Sequence, residues 1–349
     1  MQRYFLTLWL ALVSLYADAQ PDSGTHELAL IKQAEHTPVK NQANTGTCWS
    51  FSTISLIESQ TLNADLGEFD LSEMFIVRNI YLEKARNYIL RQGKAQFGSG
   101  GLGHDVIKAI ANYGAVPESV YSGLLLGKKT HDHSALQSRL EQYLDSLLTR
   151  RPIPSNWQKG FQSILDDHLG RAPETFLYRE QTYTPMSFAK EVLKFDEEDY
   201  VCLTSFTHHP FYRPFVLEIP DNYGGASYYN IPMPEMIDLV KNALSRGQSI
   251  MWDADVSNKN FQQREGYAMQ WPDQKSIAKS IDPDDQEEVW DPGTRQQLFE
   301  NLTTQDDHLM HLVGLERSRQ GKTFFLVKNS WGEIGPFKGY IKVSENYFA

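Results

Sequence analysis

Residues 41–52 read Asn41-Gln42-Ala43-Asn44-Thr45-Gly46-Thr47-Cys48-Trp49-Ser50-Phe51-Ser52, a polar loop that runs directly into an apolar segment. From Cys48 onward, apolar side chains recur with the spacing of a buried helix face. The pattern predicts a helix that carries a thiol in its first turn. Unpaired backbone N–H groups and the helix dipole at such a position favour the thiolate, which is the nucleophilic form of cysteine.

Cys48 alone does not establish catalysis, because a lone cysteine is more often a buried and inert residue. A nucleophilic thiol also needs a general base, an orienting group and donors for an oxyanion. Gln42 lies just upstream and can offer a side-chain N–H beside the Cys48 amide. Near the C-terminus, His308 and Asn329 can serve as base and orienting group. These three residues together favour the catalytic interpretation.

Three segments resemble the signature regions of papain-like cysteine peptidases. They are residues 41–52, the predicted strand that begins at His308, and Lys328-Asn329-Ser330-Trp331-Gly332. The resemblance spans most of residues 36–121 and 230–345. It implies an α+β, papain-like two-lobe fold, in which a helical lobe carries the cysteine and a β-barrel-like lobe carries the histidine. It also implies hydrolysis of peptide or protein substrates by a Cys-His-Asn mechanism without a cofactor or a metal.

The resemblance assigns a catalytic role to each of four matched residues. Cys48 attacks the scissile carbonyl, and His308 takes up its proton and returns it to the leaving amine. Asn329 orients the imidazole, and Gln42 completes the oxyanion hole.

Three further residues are expected to shape the site. Trp331 shields the His–Asn hydrogen bond from water, which strengthens that bond. Gly100 and Gly101 are expected to contact the substrate, because positions without a side chain let an extended peptide approach. A rival base, His311, lies on the same predicted strand but points to the opposite face. The number of residues between His308 and Gly314 matches the spacing that follows the family's catalytic histidine. His311 is therefore predicted to be a partly buried polar residue.

Within the superfamily, the closer resemblance is to bleomycin hydrolase and aminopeptidase C. Thr45 stands where papain itself carries a disulfide cysteine, and only a short stretch precedes Cys48. The separation between Cys48 and His308 is much longer than the roughly 130–150 residues between the two catalytic groups in papain, so long insertions are required. This subfamily also forms homo-hexamers, which makes a homo-oligomer an expectation here.

The aminopeptidase assignment leaves an alternative open. In this subfamily a C-terminal arm places its carboxylate in the cleft and limits cleavage to N-terminal residues. Here residues 347–349 follow closely on a predicted strand near Tyr340, so the arm is expected to be absent, and an endopeptidase remains the alternative. A catalytically inactive binding protein and an acyltransferase or transglutaminase are further readings, although the latter tend to use aspartate as the orienting group.

Four regions follow from composition and periodicity. We predict a signal peptide at 1–19, a helical catalytic lobe at 20–121, a largely helical insertion at 122–215 and a strand-rich lobe at 216–349. The signal consists of a basic start, an apolar run and Ala17-Asp18-Ala19, a small-x-small cleavage pattern. We therefore expect an exported protein, periplasmic or extracellular. An uncleaved anchor or a buried N-terminal strand is the alternative, and no later stretch could span a membrane.

Composition excludes several classes of protein. The chain has 349 residues, with 44 acidic and 33 basic side chains and a formal net charge of -11, which argues against a nucleic-acid binder. Its two cysteines exclude a disulfide framework, and Cys202 is expected to be a packing residue, leaving two free thiols. His208-His209 and His131-Asp132-His133 lack a third ligand at metal-binding spacing, so we predict solvated loops there.

Overall fold

Three helices form the front lobe around the predicted nucleophile. A computed structural model describes residues 28–272 and 281–349. Its first elements are β1 (Ala29–Gln33), α1 (Cys48–Asn63), α2 (Glu73–Leu90) and α3 (Gly103–Tyr113). As predicted, α1 begins at Cys48, and Ser72 caps α2 by accepting a hydrogen bond from the Phe75 N–H at 3.0 Å. Helix α3 ends at Tyr113, and Gly114, which follows it, has a φ of 79° that favours glycine.

The insertion is helical in its first half. Helices α4 (Ser134–Leu148) and α5 (Trp157–Leu169) follow the predicted periodicity and bury their leucine and phenylalanine faces. Beyond Gly170 the chain forms short elements: β2 (Phe176–Tyr178), β3 (Gln181–Tyr183), α6 (Pro185–Ser187) with a π-helical turn over Phe188–Val192, a 3-10 turn over Glu197–Asp199, β4 (Leu203–Thr204), β5 (Arg213–Val216) and β6 (Ser227–Asn230). Strands this short carry too little alternation to be predicted.

The insertion is part of the front lobe rather than a separate domain. Leu140 of α4 and Phe161 of α5 are fully buried in the same apolar cluster as Trp49 and Ile80 of the first two helices. The boundary predicted at 215/216 falls inside β5, which pairs with β6 in a small three-stranded sheet. A single core therefore supports the nucleophile and the inserted helices.

The back lobe is built on a seven-stranded sheet with helices beside it. Its elements are α7 (Met233–Ser245), β7 (Ile250–Ala254), β8 (Phe261–Gln262), β9 (Tyr267–Ala268), α8 (Pro292–Glu300), β10 (His308–Arg317), β11 (Thr323–Lys328), β12 (Tyr340–Ser344) and α9 (Glu345–Phe348). The strand order is β1-β10-β11-β12-β9-β8, and β7 also pairs with β10. The four longest of these strands were predicted; β1 and α8 were not.

Strand β10 is the central element that joins the two lobes. Its first half pairs with β7, which places His308 opposite Ala254 and Leu309 opposite Asp253. Helix α1 packs against β10, and α7 packs on the same strand as well. The helix that begins at Cys48 therefore abuts the strand that begins at His308.

Two predictions concern the ends and the surface of the chain. The signal peptide predicted at 1–19 lies outside the described residues. The acidic segment that begins at Asp282 is a loop until Asp291, whose side chain caps α8. Among residues 28–272 and 281–349, no helix combines the length and the apolarity needed to cross a bilayer.

Candidate active site

His308 and Asn329 form a hydrogen-bonded pair between adjacent strands. His308 Nε2 lies 2.7 Å from Asn329 Oδ1. The same Oδ1 accepts the Ser330 N–H at 2.7 Å, and Asn329 Nδ2 donates to Gln263 Oε1 at 2.9 Å. Because these partners fix the amide with its oxygen toward the ring, His308 Nε2 must carry the proton. Nδ1 is then the ring nitrogen free to accept a proton.

Trp331 covers the imidazole. The two ring centroids of His308 and Trp331 lie 4.5 Å apart with an interplanar angle of 31°. Phe261 packs edge-on against Trp331, and His308 is only 4% exposed. The His–Asn hydrogen bond is therefore kept in a dry environment, where it is stronger than in water.

Gln42 is fixed with its amide nitrogen available as a donor. Its Oε1 accepts a hydrogen bond from Ser330 Oγ at 2.6 Å, and its Nε2 donates to the Thr45 carbonyl at 2.7 Å. Nε2 carries a second hydrogen, which can point to an oxyanion. The backbone N–H of Cys48, in the first turn of α1, is the natural second donor.

The Cys48 thiol meets the strand that carries the histidine. The backbone N–H groups of Leu309 and Trp49 face the sulfur and oppose the rise in its pKa. Leu309 directly follows His308, so the thiol lies at the start of β10. The structure thus brings together a thiol, an imidazole with a free Nδ1, an orienting amide and an oxyanion donor, a set that can carry out nucleophilic acyl transfer.

The protonation of this pair differs from the simple expectation for a thiol at a helix N-terminus. Burial raises the pKa of Cys48 to about 12, with Asp253 and Asp306 adding to the rise. Burial also lowers the pKa of His308 to about 4. Each group alone therefore favours its neutral form. The thiolate arises when the proton passes to the imidazole, because the two charges formed together stabilise each other.

Comparison with known families agrees with this geometry. Residues 165–349 match the Peptidase C1-like family, and residues 27–136 match the papain family of cysteine proteases. The chain belongs to the peptidase C1-like family. The predictions of a papain-like α+β fold and of a cysteine peptidase of this family are thereby confirmed.

Relatives within this family are similar along most of their length. The chain is 24% identical to aminopeptidase G of Lactobacillus delbrueckii subsp. lactis, covering 89% of this chain and 78% of that protein. It is 22% identical to human bleomycin hydrolase, covering 95% and 86%. The crystal structure of PepW from Lactobacillus rhamnosis superposes with a TM-score of 0.69 at 20% identity, covering 92% of this chain and 79% of that one. This likeness supports the predicted fold.

The two glycines predicted to contact substrate are closely covered by other side chains. A Cβ at Gly100 would lie 1.9 Å from Asp221 Oδ2, and a Cβ at Gly101 would lie 3.0 Å from the Trp49 ring. The Gly100 carbonyl accepts a hydrogen bond from Lys84 Nζ at 2.6 Å. Glycine at position 100 therefore makes room for a carboxylate, a reason that the sequence pattern did not reveal.

His311 lies away from the cleft. It contacts a different neighbour from His308, since its Nδ1 lies 2.8 Å from Ser55 Oγ of α1. It was predicted to be partly buried, which is wrong, because the side chain is completely buried. The reason is that α1 packs against β10 and covers the His311 side chain completely. Burial lowers the pKa of His311, so it stays neutral.

Two of the histidine loops also differ from prediction. His133 is buried against the Tyr81 ring rather than solvated, and burial lowers its pKa to about 4. His208 and His209 do have a third partner, Glu218, whose carboxylate lies 3.2 and 2.7 Å from their Nε2 atoms. The expectation that no third ligand lies nearby is therefore wrong.

Hydrogen bonding at this trio nevertheless disfavours a metal. Gln296 Oε1 accepts the Thr207 N–H at 2.7 Å, so its Nε2 must donate to His208 Nδ1, 2.9 Å away. The proton of neutral His208 then resides on Nε2, the atom that faces Glu218. A histidine ligand binds a metal through an unprotonated nitrogen, so this tautomer opposes coordination at that atom.

Sequence reasoning missed three residues that surround the triad. Gln263 holds the Asn329 amide, and Asp253 and Asp306 place carboxyl groups near the Cys48 sulfur. The sequence signal for the acids was present: Asp306 lies two residues before His308, and Asp253 follows three apolar residues within a predicted strand. Both cysteines are free thiols, and Cys202 is half-buried.

Proposed function

We propose that this chain is a cysteine aminopeptidase that removes N-terminal residues from peptides through Cys48. The observation that carries the proposal is the Nε2–Oδ1 contact of 2.7 Å between His308 and Asn329, formed next to Leu309, whose backbone amide faces the Cys48 sulfur. This arrangement leaves Nδ1 of the imidazole ready to accept the thiol proton.

Acylation begins when the thiol proton moves to His308 Nδ1 as the sulfur attacks the scissile carbonyl carbon. The carbonyl oxygen becomes an oxyanion that receives hydrogen bonds from Gln42 Nε2 and the Cys48 amide. The imidazolium then donates its proton to the leaving nitrogen. The C–N bond breaks, the amine departs, and a thioester joins the acyl group to Cys48.

Deacylation reverses these roles. A water molecule gives a proton to His308 Nδ1 and attacks the thioester carbonyl through the same oxyanion hole. The C–S bond breaks, the thiolate takes back the proton, and the acid product leaves. Asn329 holds the ring in one orientation throughout both steps.

Preference for the N-terminus is supported by the relatives, whose names include aminopeptidases G, W and C. An endopeptidase is the competing specificity. The two are separated by incubating the mature protein with one peptide in two forms, with a free and with an acetylated N-terminus. We expect stepwise loss of residues from the free peptide and no cleavage of the blocked one.

The cysteine variants test the chemistry. Cys48→Ala should abolish cleavage and labelling by iodoacetamide at position 48, whereas Cys202→Ala, the matched control, should keep activity. Internal cuts in the acetylated peptide would refute the aminopeptidase and favour an endopeptidase. Cleavage that persists in Cys48→Ala would refute the cysteine mechanism. Incorporation of an added amine in place of hydrolysis would indicate a transferase.

We propose in addition that the protein is exported after cleavage at residue 19. The basic start, apolar run and small-x-small pattern of the first 19 residues support this. Cell fractionation with N-terminal sequencing should recover a chain beginning at Gln20 outside the cytoplasm, and an intact Met1 would contradict it.

Assembly into a homo-hexamer is proposed from the family resemblance, and light scattering of the purified protein tests it.

A further inference from the structure

Three carboxyl groups converge on the cleft from three different parts of the chain. Asp221 comes from the loop before β6, Asp253 from β7, and Asp306 from the segment that leads into β10. The charges of Asp221 and Asp306 both act on Asp253. Their clustering is a product of the fold, because the three residues are far apart in sequence.

Asp253 and Asp306 form a carboxyl pair without a cation. The two carboxyl groups lie close enough for one shared proton to link them. Asp253 is half-buried as a residue, but its Oδ1 is shielded from solvent and has no hydrogen-bond partner among the described residues. Within 28–272 and 281–349, neither side chain forms a salt bridge. Two adjacent carboxylates repel each other, so the pair is incomplete without a shared proton or a bound cation.

The carboxyl pair lies next to the nucleophile. Asp253 is directly opposite Leu309 in the β7–β10 ladder, and the Leu309 backbone amide faces the Cys48 sulfur. Asp306 lies two residues before His308 and is partly exposed. The pair therefore occupies the wall of the cleft within one strand of the reacting atoms, with Asp306 toward solvent and Asp253 beneath it.

Asp221 extends the negative region along the substrate path. Its carboxylate lies over Gly100, where a Cβ would collide with it. The positive charge that acts on Asp221 is that of Lys84, whose Nζ donates to the Gly98 and Gly100 carbonyls at 2.8 and 2.6 Å. Lys84 thus faces the Asp221 side of the cluster and provides no positive charge to balance Asp253 and Asp306.

We propose that Asp253 and Asp306 determine specificity by binding the α-ammonium group of the substrate's N-terminal residue. This assignment rests on the proposed aminopeptidase function and supplies its recognition element. An ammonium group brings three N–H donors and one positive charge, which satisfy the unpaired oxygen and replace the shared proton. Bound there, the first residue of a peptide would lie with its own carbonyl near Cys48, so cleavage would release that residue.

The test uses binding as well as turnover. Cys48→Ala protein is titrated calorimetrically with a tripeptide amide bearing a free or an acetylated N-terminus, and wild-type turnover is measured on the same two peptides. Asp253→Asn and Asp306→Asn are each examined in both backgrounds, with circular dichroism to verify folding. Asp307→Asn is the matched control, because it removes the neighbouring carboxylate, which is exposed.

Loss of one charge-assisted contact should weaken binding of the free peptide, and its kcat/KM, by about 10- to 100-fold in either variant. Binding of the acetylated peptide should change little, and Asp307→Asn should retain the wild-type preference. Equal binding of the free and acetylated peptides, or an unchanged preference in both folded Asn variants, would overturn the assignment.

Two further outcomes are distinguishable. If the variants lose activity only toward peptides with lysine at the first or second position, the pair recognises a side-chain ammonium, and the α-ammonium assignment is wrong. If wild-type protein shows no thiol-dependent turnover while Cys48→Ala still prefers the free peptide through these two residues, the recognition site stands and the proposed hydrolysis fails.

Discussion

Ser330 Oγ donates a hydrogen bond to Gln42 Oε1 at 2.6 Å, and the Gln42 N–H donates to the Ser330 carbonyl at 2.8 Å. Asn329 is the preceding residue and orients His308. The oxyanion donor of one lobe and the orienting amide of the other are therefore held by the same short segment. The orientation of the Gln42 side chain is therefore coupled to the orientation of the His308 imidazole.

Ser330→Ala tests this coupling. Without the hydroxyl, the Gln42 amide loses the partner that fixes its orientation, so the oxyanion should be less well stabilised. We expect kcat to fall about 3- to 10-fold with little change in KM, a smaller loss than the roughly 10²- to 10³-fold expected for Gln42→Ala. Steady-state kinetics on a free-amine peptide provides the measurement. An unchanged kcat in Ser330→Ala would show that Gln42 needs no such support.

Gln263 should act as a positioning residue for the triad. Gln263→Ala leaves the buried Asn329 Nδ2 without an acceptor, which costs about 1–3 kcal/mol of stability and permits the amide to rotate. A rotated amide would favour the wrong imidazole tautomer, so kcat should fall while KM is retained. Gln263→Glu restores an acceptor and should recover part of kcat. Gln262→Ala, one residue away, is the control, and an equal loss of kcat there would contradict the assignment.

The triad could be predicted because its residues lie in short segments with a characteristic local context. Cys48 follows a glycine-containing loop and begins an apolar helix, and His308 begins a strand whose parity separates it from His311. These are signals that nearest neighbours in sequence provide. The helices at Ser134–Leu148 and Trp157–Leu169 were predicted for the same reason, since their apolar periodicity is long enough to be distinctive.

The remaining features depend on contacts between distant segments. Gln263 meets Asn329, and Asp253 meets Asp306, only after β7, β8 and β10 have taken their places. The complete burial of His311 likewise follows from how α1 packs on β10. Strands of two to four residues, such as Leu203–Thr204, are stabilised by the partner they pair with and not by their own sequence.

Lys40 neutralises a buried acidic cluster beneath the front lobe. Its Nζ lies 2.7 Å from Glu73 Oε1, 3.3 Å from Glu58 Oε1 and 2.7 Å from Asp70 Oδ1. Burial alone would lower the pKa of Lys40, but Glu73 and Glu58 outweigh it and raise that pKa. Burial raises the pKa of Glu73 to about 7 even though Lys40 opposes this. Lys40 is therefore the cation in direct contact with these carboxylates, and Lys328 adds a more distant positive charge that acts on Glu58 and Glu73.

Lys40→Met should destabilise the protein by about 3–5 kcal/mol at about pH 8, because it leaves buried carboxylates unpaired. Lowering the pH to about 5.5 allows these carboxyl groups to take up protons, so the deficit relative to wild type should shrink. Urea unfolding at both pH values measures it. Lys241→Met, which breaks the more exposed pair with Glu345, should cost less than about 1 kcal/mol at either pH. A deficit that does not change with pH would show that lost packing, not charge, dominates.

The Asp253–Asp306 pair in the cleft should reduce the stability of the folded protein at neutral pH. Burial, with the nearby charge of Asp221, raises the pKa of Asp306 to about 6 from an ordinary value of 3.8. The unfolded chain therefore ionises this group more readily than the folded chain does. Its contribution to stability is lost as the pH rises from about 4 through about 6.

Asp306→Asn removes a group that favours unfolding at neutral pH, so its melting temperature should exceed that of wild type by about 1–3 °C at about pH 7.5. The two proteins should converge near pH 4, where Asp306 is protonated in the folded state. Thermal unfolding at both pH values, with Asp307→Asn as the exposed control, measures this. A melting temperature for Asp306→Asn below that of wild type at neutral pH would contradict this prediction. It would mean that the ionised Asp306 carboxylate makes a stabilising contact in the folded protein.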